Sequence, residues 1–408
     1  MPVDTTGSPL HTAVARLVVG RDGGDYVVGR PDLGLYVVVP EPGAVLITAL
    51  QAGAGLSVAT ARASEVAGEE VDGVDFITGL GAAGLFETVA TSGNPASTGR
   101  PVRWIEAVNP RVARLLFGRI AWLGYGLAAA VVIAVFVLRP ELRPTFEDVW
   151  FLPDPAAALL FFVPIGAFLT ALHEMWHWLA GRALGVAAVF RVSRRGVFLV
   201  FETDLTQIVT TPRRQRYAAY VAGVCIDCVG LALVLTTRLA YRQELIDLPP
   251  VLDRVLGVVV LAQVTSICWQ VTAVCLRNDG YAVLANALGC HNLYRATWLT
   301  TKDRLFGLRD AETEELAQIS DHDRRVARWF GITYLASVLG MVWLALSFAV
   351  PSLIGLAMWT WRSLTSAAVS SAPFWESAAL LALLAAQAFG PALLARRERL
   401  ARRGGRLL

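Results

Sequence analysis

The chain is short of charge, of lysine and of cysteine. Charged residues fill 17% of its 408 positions and the AVILMFWYC types 55%, whereas soluble domains carry about 25% charged residues. With a mean hydropathy of +0.53, this deficit excludes a disordered chain, a nucleic-acid binder built on charge and an ordinary soluble enzyme. Lys302 is the only lysine, so arginine supplies every other basic side chain. The five cysteines (225, 228, 268, 275 and 290) are too few and too scattered for a disulfide framework. The first 110 residues contain no charged start followed by an apolar h-region, so the N-terminus is expected to stay in the cytoplasm.

The sequence divides near residue 114. Residues 1–114 read as a small α+β cytoplasmic module. The β-branched runs 25–30 and 35–40 flank a Pro-Asp-Leu-Gly turn and predict a hairpin. Helical apolar spacing follows at 43–50 and 57–67, with Ser57 as N-cap, and a third helix is expected at 71–79. Leu85 to Val89 reads as a closing strand, which makes the module winged-helix-like. Gly79, Gly81 and Gly84 match a dinucleotide fingerprint formally. They follow a helical pattern instead of a strand, so a wing turn is the expectation and no nucleotide is.

Residues 115–408 read as a polytopic membrane helix bundle. A span needs about 20 mostly apolar residues, and six stretches qualify: 119–138, 157–180, 217–237, 255–276, 329–350 and 373–395. Residues 351–360 either extend the fifth span or lie in the interface. Val186 to Val200, interrupted by Ser193-Arg194-Arg195-Gly196, reads as a hairpin. Five arginines precede or open the first span, seven follow the second, and six follow the last. The positive-inside rule then puts both termini in the cytoplasm, in a cell membrane, with lipid as the surrounding partner.

Span two ends in His173-Glu174-Met175-Trp176-His177. Positions i and i+4 share a helix face, so both imidazoles can reach one metal ion, with Glu174 beside it as a base. Such groups at membrane depth are functional by default. Catalytic zinc ordinarily takes three protein ligands. The leading third candidate is Asp279 at the end of span four, where Gly280 is expected to let the backbone turn; His291 and His322 are rivals. Asp227, an intramembrane carboxylate in span three, is expected to sit behind the site or position substrate. Cys225 and Cys228, its CxxC neighbours, are expected to pack.

HEMWHWLAGRALGV (173–186) and LRNDGYAVLANALG (276–289) together resemble the site-2 protease family of intramembrane zinc metalloproteases, nearest to its bacterial peptide zinc metalloprotease branch. The likeness covers about residues 115–330. It implies Zn2+ on His173, His177 and Asp279, Glu174 as general base, and a peptide or membrane-protein substrate cut near the cytoplasmic face. Ala273-Val274 stand where the family has Asn-Pro, and Asn278 replaces an apolar residue; Asn278 or the backbone near Gly280 is then the expected oxyanion donor. Residues 25–90 resemble the PqqD-like modules that bind leader peptides of ribosomally made natural products. The alternative class is a non-proteolytic zinc-containing membrane protein for peptide export or immunity. Glu174 argues against it, because a structural zinc site needs no base.

Overall fold

The computed structural model describes residues 9–86 and 108–403, apart from positions 32, 153, 187, 196 and 197. After a short helix α1 (Pro9–Val14), three strands form an antiparallel meander: β1 (Val18–Asp22), β2 (Asp25–Arg30) and β3 (Leu35–Val39). The expected hairpin is present, with Tyr26 opposite Val39 and Arg30 opposite Leu35. β1 was not expected. It pairs with β2 across Gly23-Gly24, where Gly23 takes φ +70° to make the tight turn.

Three helices cover one face of the sheet: α2 (Glu41–Gln51), α3 (Leu56–Ala67) and α4 (Gly73–Ala82). Val28, Leu46, Ile47, Leu50, Ala59 and Leu80 make the core between them. The cap of α3 falls on Gly55 and not on Ser57, and no side chain closes that end. Gly79 and Gly81 lie inside α4 and only Gly84 turns after it, at φ +80°, so the three glycines form neither a phosphate loop nor a wing turn. Leu85 and Phe86 are in a turn where the closing strand was expected; residues 87–89 lie outside the described residues.

The remainder is mainly helical. Helices α5 (Pro110–Leu116) and α6 (Arg119–Leu138) form one apolar stretch; α7 (Pro155–Leu184) is the second. A two-stranded antiparallel hairpin, β4 (Val189–Arg195) and β5 (Phe198–Asp204), follows, then the short helix α8 (Arg213–Tyr220). Helices α9 (Ala222–Arg242) and α10 (Pro250–Thr272) are the third and fourth apolar stretches. Next come α11 (Asp279–Leu288), α12 (Leu293–Phe306) and α13 (Asp310–Gln318). Helix α14 (Asp321–Leu344) runs through one π-helical turn, Ala345–Ala349, into α15 (Val350–Ser366), and α16 (Ala372–Arg403) ends the described chain.

Among the described residues, five stretches are long and apolar enough to cross a bilayer: 110–138, 155–184, 222–242, 250–272 and 321–366. The sixth expected span falls within α16, which is not one of the five. Segment 351–360 extends the fifth. Span three starts at Ala222, five residues later than expected, because the chain breaks at Val221 and leaves α8 as a separate element. Apolar side chains point outward: Ile120 is 86% exposed and Leu123 75%. Such a continuous apolar surface suits hydrocarbon and not water. Inward, Val132 and Val135 of α6 meet Leu231 and Leu235 of α9 and Val260 of α10.

At one end of this bundle Arg238 of α9 is buried and donates from Nε to Asp253 Oδ1 of α10 at 2.9 Å, while Arg242 donates to Oδ2 at 3.2 Å. Removing one partner of a buried pair leaves an uncompensated charge and costs about 3–5 kcal/mol. Asp253→Ala is therefore expected to destabilise the α9–α10 pair by about 3 kcal/mol. Thermal unfolding of the purified protein in detergent checks this, and an unchanged midpoint contradicts it.

Candidate metal centre

Helix α7 carries His173 and His177 on one face near its C-terminal end, one turn apart, and both are buried. Asp279 comes from the first turn of α11, more than a hundred residues later. Its Oδ2 lies 3.1 Å from His173 Nε2 and 3.0 Å from His177 Nε2, and the two Nε2 atoms are 3.1 Å apart. Three candidate ligand atoms thus converge on one point.

The other ring nitrogens decide what those atoms present. His177 Nδ1 is 2.7 Å from the Ala219 carbonyl, which only accepts, so Nδ1 carries the proton. His173 Nδ1 donates to Asp227 Oδ2 at 2.8 Å. Neutral imidazoles in these tautomers turn their Nε2 lone pairs to the centre. Together with a carboxylate oxygen they make three lone pairs in mutual contact, which a cation relieves. Carboxylate or carbonyl acceptors behind ligating histidines are the usual way of orienting them. The donor set therefore fits a divalent metal ion. Ser266 Oγ supports Asp227 Oδ2 at 3.4 Å, and Gln263 Nε2 donates to the Asp227 carbonyl at 3.3 Å.

Asp279 reaches this point because the chain turns hard after α10. Residues Val274–Leu276 form a 3-10 turn, and Arg277 adopts the left-handed region at φ +56°, its guanidinium 3.9 Å from the centre of the Tyr294 ring. The sharp turn was expected at Gly280. Gly280 is instead helical, and its role is close approach: a Cβ there would overlap the Gln270 carbonyl. Asn278 caps α11, accepting from Tyr281 N–H at 3.0 Å and donating to the Trp269 carbonyl at 2.7 Å. Asn278 is thus a holding residue that also lines the cavity, with its second amide N–H outside these two bonds. Gln270 Oε1 accepts the Asp279 N–H at 3.1 Å. Burial raises the Asp279 pKa; when the two imidazoles are protonated, their charge and N–H donors outweigh that and hold the carboxyl well below the usual carboxylate range.

Glu174 stands beside the ligands. Its Oε2 accepts the Thr203 N–H at 2.7 Å and its carbonyl accepts Thr203 Oγ1 at 2.9 Å, which pins β5 to α7. Glu174, His177 and Asp279 line a cavity of about 220 Å³, whose walls include Phe201 and Thr203 of β5, Trp269 and Gln270 of α10, and Arg277 and Asn278. Of the rival ligands, His291 lies 3.4 Å from Asp22 Oδ2 and His322 donates to the Leu288 carbonyl; neither joins His173, His177 and Asp279, and His322 falls instead in a separate cluster with Cys290 and Asp323. Cys225 and Cys228 are free thiols on α9.

Four contributors escaped the sequence reading. Ala219 acts through its carbonyl, and Thr203 through its N–H as well as its hydroxyl, so no motif marks either of them. Gln270 belongs to an apolar helix that hides it. Gly223 of α9 is the fourth: a Cβ there would overlap the His173 ring. Compared with protein-family models, with curated proteins and with solved structures, the chain finds no match in any of the three.

Gly223→Val is expected to push the His173 ring off its place and to lower metal affinity by about 10- to 100-fold, as for other groups that hold a ligand in position. Competition with a chromogenic chelator reads this directly. Wild-type affinity in the variant, with its helical content unchanged, contradicts the packing argument.

Proposed function

We propose that the chain is a membrane-embedded zinc endopeptidase of the site-2 protease type, which cuts a peptide or membrane-associated substrate near the cytoplasmic face. The observation that carries this is the convergence of two Nε2 lone pairs and one carboxylate oxygen, with Glu174 on the same cavity wall. Two histidines and one carboxylate suit zinc. Three protein ligands leave a position open, as catalytic sites do and structural ones do not. In this reading α16 supplies a sixth span, and both termini are cytoplasmic.

Bound zinc supplies Lewis acidity at the scissile carbonyl and lowers the pKa of water at the site. Glu174 takes the proton of the attacking water and returns it to the leaving amine. The developing oxyanion needs a donor in a dry cavity. Gln270 fills that role: its Oε1 is fixed by the Asp279 N–H, which leaves the Nε2 donors for the cavity. The cavity is thus furnished with an amide although Ala273 and Val274 replace the family's Asn-Pro.

The hairpin aligns substrate in this proposal. Since Thr203 N–H is turned to Glu174 and away from β4, the alternation of an antiparallel ladder turns Phe201 N–H and C=O to the same outer edge. An extended peptide laid along that edge passes the site. The N-terminal module is the candidate for delivering a leader peptide.

Three variants test the roles together, by zinc content and peptide cleavage in detergent. Glu174→Gln is expected to keep about one zinc per chain and to lose cleavage. Gln270→Glu keeps the acceptor for Asp279 N–H but loses the donor, so it should keep zinc and slow cleavage by about 10²-fold. Phe201→Pro removes one outward N–H and should weaken substrate binding at unchanged zinc. Cleavage that persists in Glu174→Gln contradicts the proposal.

A further inference from the structure

The N-terminal domain is seated on the membrane domain through a buried carboxylate. Asp22, the last residue of β1, is 2% exposed. Its Oδ1 accepts from Arg213 Nε and its Oδ2 from Arg216 Nη1 at 3.2 Å. Both arginines belong to α8, on one face. Arg216 is itself buried and also donates to the Thr211 carbonyl at 2.8 Å and the Val209 carbonyl at 2.7 Å, which fixes the start of α8. Beside this clamp, Gly20 of β1 lies so close to the Thr210 carbonyl that a Cβ would overlap it. Gln207 donates to the Pro31 carbonyl at 3.4 Å.

Helix α8 is only eight residues long, and its other contacts lead to both sources of the ligands. Near its far end the Ala219 carbonyl holds His177 Nδ1. Near its start the Arg213 carbonyl accepts from Asn286 Nδ2 at 3.1 Å, and Arg213 Nη2 donates to the Gly289 carbonyl at 3.3 Å. Asn286 and Gly289 belong to α11 and its C-cap, the helix that opens with Asp279. A single short helix therefore ties the orienting carbonyl of one ligand to the helix that carries another. Asp22 is the anion that Arg213 and Arg216 of that helix share.

We infer that Asp22 is a positioning residue for the metal centre: seating of the N-terminal domain, through Arg213 and Arg216, holds α8 in the register that sets His177 and Asp279. The inference rests on the metal reading above. It makes the N-terminal domain part of the scaffold of the site, so that detaching the domain loosens metal binding as well as substrate delivery. A carboxylate buried between two arginines leaves two uncompensated charges when neutralised, so the link is stiff.

The test uses the full chain in detergent, with zinc affinity from chelator competition and hydrogen exchange of the α8 amides. Asp22→Asn is expected to weaken zinc by about tenfold, the lower end for groups that support ligands, and to speed exchange across α8. Val28→Ala opens a cavity in the N-terminal core without touching the clamp and should leave zinc affinity within about twofold of wild type. Arg213→Gln, which removes the more exposed arm, should act in the same direction as Asp22→Asn and replaces it if that variant does not fold. Wild-type zinc affinity in Asp22→Asn and Arg213→Gln overturns the inference. So does an equal loss in Val28→Ala, which would assign the effect to folding of the domain. A wild-type chain that binds no zinc fails the metal reading itself, and that measurement alone separates the two failures.

Discussion

Everything around the site depends on two hydrogen bonds made by the far sides of two imidazoles. The Ala219 carbonyl takes the Nδ1 proton of His177, and the Asp227 carboxylate takes that of His173. These bonds fix which nitrogen keeps its lone pair, and they point both lone pairs at Asp279 Oδ2. Without a cation the arrangement is three electron-rich atoms at about 3 Å separation inside apolar helices. The rest of the fold can be understood as the means of holding that arrangement. Gly223 makes room for one ring, Gly280 lets α10 and α11 approach, and the left-handed Arg277 turns the chain so that Asp279 faces α7.

Much of this was legible because its signals are periodic or long. Apolar runs near 20 residues marked the spans. The i, i+4 histidines declared a shared helix face, and Asp279 stood out as an acid at the end of an apolar run. The hairpin after α7 followed from β-branched runs broken by Ser-Arg-Arg-Gly. The failures are equally physical. The break at Val221 was missed because residues 217–220, the end of the Arg-rich α8, are apolar enough to read as the start of the span that α9 forms. Ser57 resembled a cap, yet the helix begins one residue before it. Gly79 and Gly81 matched a fingerprint by spacing, but the helix that contains them leaves no loop for a phosphate. β1 was missed although Gly23-Gly24 is a recognised hairpin signal.

The contributors that no pattern reveals are those that act through the backbone or through empty space. Ala219 offers a carbonyl, Thr203 an N–H, Gly223 and Gly280 the absence of a Cβ. Asp22 is instructive in another way: as an acid after a short strand it resembles a turn residue, and only the arrival of Arg213 and Arg216 from nearly two hundred residues away gives it a role. Sequence distance hides such links, and the three-dimensional structure joins the N-terminal sheet, α8 and the ligands into one chain of contacts.

The central claim is that His173, His177 and Asp279 together hold one metal ion. Metal analysis of the purified chain and of Asp279→Ala, in detergent, tests it most directly. The account predicts about one zinc per wild-type chain and a loss of at least about tenfold in affinity for the variant. Stoichiometric zinc held equally tightly by both, or a wild-type chain that holds none, would contradict it.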